Sequence, residues 1–314
     1  MIKEYKLSRE LISLLIFKAP SMFQQTMNYS EEGIRGYISS LKTLYDKIDR
    51  LNEGFPEIFE NVLKEYFKPI KIICKIGSGV FPTLERITVN KRVIKTNERI
   101  LNSKDLKYPP EKCVKNFGRA NLKGQSVFYG TFNFITAIKE MQPEVGDLIT
   151  ISSWGLIQKE NYLVTCPMFL SQPQNSHSFF KLRTFYTSFF SDLLNYPKPI
   201  ANLIYELHRF YAKCFSREIS RSNSQAYIFT ALLADKILNH HRNGVIDAIL
   251  YPSTKDDLLT DNIAIKKESF DKNYVLLNTI EKRLTEKSEN SEHYEFEITG
   301  KSKEVKGEEI VWND

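Results

Sequence analysis

Apolar residues recur at helical spacing early in the chain and at mixed spacing later. Leu7, Leu11, Leu14 and Leu15 predict a helix over residues 1–18. Ile34, Tyr37, Ile38, Leu41, Leu44, Tyr45 and Ile48 form one face of a second helix over 30–50, with Ser30 as its N-cap. Pro56 opens a third over 56–67, which must end before Pro69. The texture changes at Ile70. Ile70–Ile76 reads as a β-like run, and 77–118 as irregular chain marked by Gly77, Gly79, Pro82 and Pro109-Pro110. Strands are predicted at Val127–Gly130, Leu148–Ile151, Ala248–Tyr251 and Asn262–Ile265. Helices are predicted at Thr136–Met141, Phe179–Leu194, Pro199–Ser220 and Ala226–Asn239. After Lys266 only Tyr294, Phe296 and Ile298 alternate, which predicts one hairpin or an added edge strand and then a frayed, charged tail. Strands and helices mix without a βαβ rhythm and without repeats, so the expected class is α+β. The expected organisation is a helical N-terminal unit (1–69), a central domain (70–266) with a long helical insertion, and a C-terminal extension (267–314).

Composition supports a full buried core. Of 314 residues, 42% are apolar and 26% charged, which excludes a disordered chain, a collagen and a coiled-coil rod. The formal charge of +6 is unevenly placed. Residues 266–314 hold 9 Lys+Arg and 12 Asp+Glu, whereas the rest hold 35 and 26. A basic body attracts nucleic acid or a phosphate-bearing small molecule, or is simply a solvated surface. No run of five Lys/Arg and no helix-turn-helix, RNA-binding or zinc-finger signature is present, so nucleic acid is not the expected partner. Cys74, Cys113, Cys166 and Cys214 form no CxxC or Cys/His cluster, which predicts reduced thiols and no metal site. The early apolar run Leu11–Phe17 is too short to span a bilayer, and Glu4 and Glu10 precede it. A cytoplasmic protein without a membrane partner is expected.

The common catalytic signatures are missing. Gly77-Ser78-Gly79 lacks the third glycine of a dinucleotide fingerprint, and neither GxxxxGK[ST], GxSxG nor HExxH occurs. His208 reads as a packing or surface residue, and His240-His241 as a solvated helix end. The aromatic run Phe179, Phe180, Phe185, Tyr186, Phe189 and Phe190 reads as core or interface.

One constellation carries more. Phe117-Gly118-Arg119-Ala120-Asn121-Leu122-Lys123-Gly124 is followed by Val127-Phe128-Tyr129-Gly130, then by Thr136-Ala137-Ile138-Lys139-Glu140, and much later by Tyr251-Pro252-Ser253. A cation, an aromatic ring and a carboxylate thus follow one another on a loop, a strand and a helix. In order and spacing these blocks resemble the RES domain, named for its Arg, Glu and Ser, over roughly residues 72–266. The resemblance implies an ADP-ribosyltransferase-like mixed β core that takes NAD as substrate and needs no metal. It implies hydrolysis or phosphorolysis of the nicotinamide–ribose bond, as in the toxins of toxin–antitoxin pairs, with an antitoxin or other inhibitory protein covering the cleft.

That chemistry builds positive charge on the ribose, and a carboxylate stabilises it more in the transition state than in the ground state. Glu140 is the candidate. Arg119 and an earlier Arg would hold the pyrophosphate, Tyr129 would stack on nicotinamide, Asn121 would orient the Arg119 loop, and Ser253 would present a hydroxyl to phosphate or ribose. Gly124 would allow close approach of the backbone. Arg86, Arg92 and Arg99 compete for the earlier Arg. Arg99 is favoured, because the stretch from it through Pro109-Pro110 to Gly118-Arg119 best follows the larger members. Two other readings stay open: transfer of ADP-ribose to a macromolecule, and a catalytically silent or restrained RES-like binding protein whose insertion or N-terminal helices cover the cleft.

Overall fold

The computed structural model describes residues 30–49, 60–61, 63–64, 76–78, 83–157, 162–166, 182–219, 221–240, 244–288 and 293–313. The helix expected over 1–18 lies outside them. So do nearly all of the Ile70–Ile76 run and most of the helix expected over 56–67, of which Glu60, Asn61, Leu63 and Lys64 are helical.

Helix α1 (Glu31–Asp49) starts at Ser30, whose Oγ accepts the Gly33 amide at 3.2 Å, and carries Glu31 and Glu32 in its first turn. Both features suit the positive end of a helix. Its buried face, Ile38, Leu41, Leu44 and Tyr45, matches the predicted one. Further helices are α2 (Phe134–Met141), α3 (Leu182–Leu193), α4 (Lys198–Phe215), α5 (Ile228–Asp235, continued by a π-turn at Lys236–His240) and α6 (Lys267–Asn273). Tyr45 of α1 meets Phe210 of α4 and Phe229 of α5 edge-on at 5.6 and 5.5 Å, so the described N-terminal residues share a core with the insertion. Among the described residues no helix is long and apolar enough to cross a membrane.

Among the described residues ten strands form one sheet: β1 (Ile76–Ser78), β2 (Leu84–Val89), β3 (Val127–Thr131), β4 (Leu148–Leu156), β5 (Leu163–Thr165), β6 (Ala248–Pro252), β7 (Asp261–Lys266), β8 (Tyr274–Lys287), β9 (Tyr294–Lys306) and β10 (Glu309–Asn313). Their order is β1-β5-β6-β7-β3-β2-β4-β8-β9-β10. Among the described residues only β5 and β6 run parallel, so the chain is α+β and not doubly wound. Neighbouring strands are joined unequally. β3 pairs with β7 from Val127 to Thr131, but with β2 only through Glu85↔Thr131. The sheet is therefore two ladders joined at one point, and they diverge beyond it.

Side-chain alternation sends Tyr129, Ile249, Tyr251 and Ala264 to the face covered by α1, α4 and α5. Phe128, Leu250, Ile263 and Ile265 go to the other face, where Phe128 stacks on Phe270 of α6 at 3.9 Å. Helix α2 packs Ala137 and Ile138 on Ile87, Val89, Ile149 and Ile151.

Two expectations need correction. The stretch 77–118 is not wholly irregular, because it contains β2. Residues 267–314 hold the expected hairpin, β8 and β9, but not the frayed tail expected after it: β8 pairs with β4 from Leu148↔Arg283 to Leu156↔Tyr274, and β10 pairs with β9 up to Asn313. Arg99 fastens this extension. Its Nε donates to Glu281 Oε1 at 3.0 Å, its Nη2 to the Thr299 carbonyl at 2.8 Å, and its guanidinium lies 5.0 Å from the Trp312 ring centre. Glu281 is 1% exposed. Arg99→Ala leaves that carboxylate buried without its cation and is expected to destabilise the fold by about 2–4 kcal/mol. A urea titration followed by Trp fluorescence measures this; an unchanged midpoint would mean that the contact contributes nothing.

Candidate functional site

Helix α2 presents Glu140. Asn133 caps its start, with Oδ1 accepting both the Thr136 amide at 2.8 Å and the Thr136 hydroxyl at 2.9 Å. At its end Gln142 adopts φ 44, and its amide closes the last turn on the Ile138 carbonyl at 2.8 Å. Arg92 donates to the carbonyls of Met141 at 2.7 Å and Gln142 at 3.1 Å, placing a cation at the negative helix end. Thr136 and Glu140 are one turn apart and share a face toward the β6–β7 connection. The Thr136 hydroxyl meets that of Thr260 at 2.9 Å, and Lys139 pairs with Asp256.

Two donors converge on one carboxylate oxygen. Ser253 Oγ and Asn262 Nδ2 each donate to Glu140 Oε1 at 2.7 Å. Ser253 is fully buried at the end of β6, and Asn262 on β7 is 3% exposed. The connecting loop holds Asp257 and Leu258 at φ 47 and 63, a conformation that costs a non-glycine residue about 1–2 kcal/mol. The Leu258 amide donates to the Ser253 carbonyl at 2.9 Å, and Thr260 Oγ1 to Asp256 Oδ2 at 2.8 Å, which holds the loop in that form.

The Arg119 loop is built on Tyr129. The Tyr129 hydroxyl accepts the Ala120 amide at 2.9 Å and donates to Asn121 Oδ1 at 2.8 Å. Asn121 Nδ2 donates to the Leu122 carbonyl at 2.9 Å. The contact is too close for any side chain at Gly118, where a Cβ would stand 2.1 Å from Asn121 Oδ1 and 2.9 Å from the Tyr129 hydroxyl. Gly124 serves differently from the expected close approach: its φ of 76 demands glycine, and nothing lies within 4 Å of where a Cβ would be. Arg119 itself is 9% exposed. Its Nη1 donates to the carbonyls of Phe215 and, at 3.1 Å, Arg217 at the end of α4, and its Nη2 to Thr254 Oγ1 at 3.2 Å. The guanidinium lies 5.2 Å from the Tyr227 ring centre and 5.8 Å from that of Tyr251. Burial pushes the phenols of Tyr129 and Tyr251 well above their usual range, so both are neutral donors.

Arg86 lies where β2 and β3 part. Its Nη1 donates to the Tyr129 carbonyl at 2.8 Å, in place of the missing ladder bond, and its guanidinium lies 5.5 Å from the Phe128 ring centre. The side chain is half-buried. Burial lowers its ordinary value to about 10, with Tyr129 and Tyr251 opposing the shift, so it is a cation at neutral pH.

Glu140, Ser253, Tyr129, Asn121 and Arg119 thus form one cluster, although Ser253 follows Glu140 by 113 residues. Tyr251 links its parts, lying within electrostatic reach of Glu140, Tyr129 and Arg119. Arg99 is not in this cluster. It is bound to Glu281 on β8, four strand steps from Asn262 on β7, or roughly 19 Å at the usual spacing. Of the three competing arginines, Arg92 secures α2 and Arg86 reaches the cluster. The sequence reading missed Asn262, whose only signal is a polar residue within an apolar strand, and Tyr227, which belongs to the insertion. Two other expected roles differ in geometry. The Tyr129 hydroxyl is used to hold the Arg119 loop, and the Arg119 guanidinium is engaged by backbone carbonyls.

The arrangement suits a reaction that develops positive charge beside a fixed carboxylate, with a second cation nearby for an anionic group. Among the described residues no three His, Cys, Asp or Glu converge as metal ligands. A groove of about 740 Å³ between α1 and α4, with Lys42, Asp46, Arg209 and Lys213 in its wall, shares no residue with this cluster. No protein-family model and no curated protein matches the chain.

Proposed function

We propose that this protein is an NAD-consuming enzyme with an ADP-ribosyltransferase-like fold that breaks the nicotinamide–ribose bond. The observation that carries this reading is the pair of 2.7 Å hydrogen bonds from Ser253 and Asn262 to Glu140 Oε1, in the cluster with Tyr129, Tyr251 and Arg119. Four blocks that resemble the RES domain in sequence order thereby meet in space. A sheet that opens at β2–β3, with Arg86 in the opening, supports a cleft for an extended dinucleotide.

In this reading the ribose C1–nitrogen bond breaks and its electron pair neutralises the pyridinium ring, which leaves as nicotinamide. Glu140 stabilises the oxocarbenium-like ribose. Water then attacks and loses a proton, giving ADP-ribose, or phosphate attacks, giving an ADP-ribose phosphate. Arg86, rather than Arg99, takes the role of the earlier arginine and neutralises pyrophosphate. Ser253, being fully buried, acts on the carboxylate and not on the substrate.

A second reading has one observation of its own. The end of α4 sits on Arg119, so the insertion acts as a restraint on the cluster in place of, or beneath, a separate antitoxin. Purified protein incubated with NAD, with and without phosphate, tests the proposal. Loss of NAD is expected, and phosphate that accelerates it and appears in the product identifies phosphorolysis. No loss, with NAD still raising the melting temperature, favours the restrained reading. No loss and no thermal shift sinks both.

A further inference from the structure

We propose that Asn262 is a positioning residue for Glu140, which fixes its carboxylate with a donor that cannot itself compete for a proton. This rests on the function proposed above.

Asn262 lies inside β7, with its Cα opposite Thr131 of β3 and Tyr251 of β6. At 3% exposure, such a position in an apolar strand calls for Val, Ile or Thr. The amide is explained by Glu140: Nδ2 donates to Oε1 at 2.7 Å, the oxygen that also accepts from Ser253 Oγ. The other half of the amide is not satisfied, because Oδ1 is buried without a donor. Flipping the amide would turn a carbonyl toward a carboxylate. The carboxylate therefore dictates the orientation of the amide, at the expense of its acceptor. Two neutral donors, one just past β6 and one inside β7, fix the position of the Glu140 carboxylate.

The groups facing Glu140 set what a change would do. Tyr251 on β6 lies within electrostatic reach of Glu140, and the Lys139–Asp256 pair joins α2, which carries Glu140, to the β6–β7 connection. Burial keeps the Tyr251 phenol neutral. In Asn262→Asp an isosteric carboxylate replaces the amide, and two carboxylates sharing a site hold one proton more tightly.

The test combines NAD kinetics with ¹³C NMR of protein labelled at glutamate side-chain carboxyls, the Glu140 resonance being assigned by its loss in Glu140→Gln. Asn262→Ala is expected to lower kcat about 10–100-fold with KM little changed, as for residues that orient a reacting group. Asn262→Asp is expected to move the acid limb of the kcat profile toward neutral pH, and the Glu140 resonance with it. Wild-type profiles and an unshifted resonance in both variants would overturn the inference. If the wild-type protein consumes no NAD, the functional proposal falls and the NMR titration alone decides on Asn262: a shifted resonance supports it and an unshifted one overturns it. If Asn262→Asp does not fold, Asn262→Ala decides by the same resonance, since losing the donor must displace it.

Discussion

Glu140→Gln is expected to lower NAD turnover by about 10²–10⁴-fold while leaving the fold intact. The substitution keeps size and shape, and the glutamine carbonyl can still accept from Ser253 and Asn262, which donate to Oε1 in the parent. The negative charge is lost, and the other carboxylate oxygen becomes an amide donor. If that charge stabilises a cationic ribose, the loss falls on kcat, and KM for NAD changes little. Chromatographic assay of nicotinamide release, beside circular dichroism and melting, measures both. Retention of wild-type turnover by folded Glu140→Gln would remove Glu140 from the chemistry, and with it the proposed mechanism.

The second large effect concerns Arg119. Its guanidinium joins the ends of three segments: the α4 terminus through Phe215 and Arg217, the β6–β7 connection through Thr254, and the rings of Tyr227 and Tyr251. Arg119→Met leaves buried carbonyls without a charged donor and is expected to lower stability by about 2–5 kcal/mol. Arg119→Lys should recover little, because an ammonium cannot reproduce a planar fork held between two rings. Urea unfolding gives the answer through a shifted midpoint at constant slope. Unchanged stability with a raised KM for NAD would instead give Arg119 the pyrophosphate-binding role that its sequence context implies.

The sequence carried the elements whose burial is one-sided or complete. Helices α1 and α4 show a periodic apolar stripe, and β3, β6 and β7 are short apolar runs. Strand β2 was hidden because its sequence, Leu-Glu-Arg-Ile-Thr-Val, places Glu85 and Arg86 side by side in its first half. Strand β9 was nearly hidden because neither of its faces is fully buried, so no alternation was imposed on it. In the site, Glu140, Tyr129 and Ser253 could be found because they stand in ordered blocks. Arg86 could not be separated from Arg99 by spacing alone, since the pairing of β2 decides which arginine faces Tyr129. Asn262 bears no motif, and its meaning comes from the helix laid across it.

The lone Glu85–Thr131 pair has a mechanical consequence. Cooperative protection of backbone amides spreads along continuous ladders and stops where they are interrupted. Amide exchange is thus expected to be resisted in two blocks, one running in sheet order from β1 to β3 and the other from β2 to β10, with a crease between them. Arg86 bridges that crease through the Tyr129 carbonyl, so any anion that draws its guanidinium away loosens the joint it spans. Under the proposed function, a dinucleotide that engages Arg86 is expected to change amide exchange at this joint.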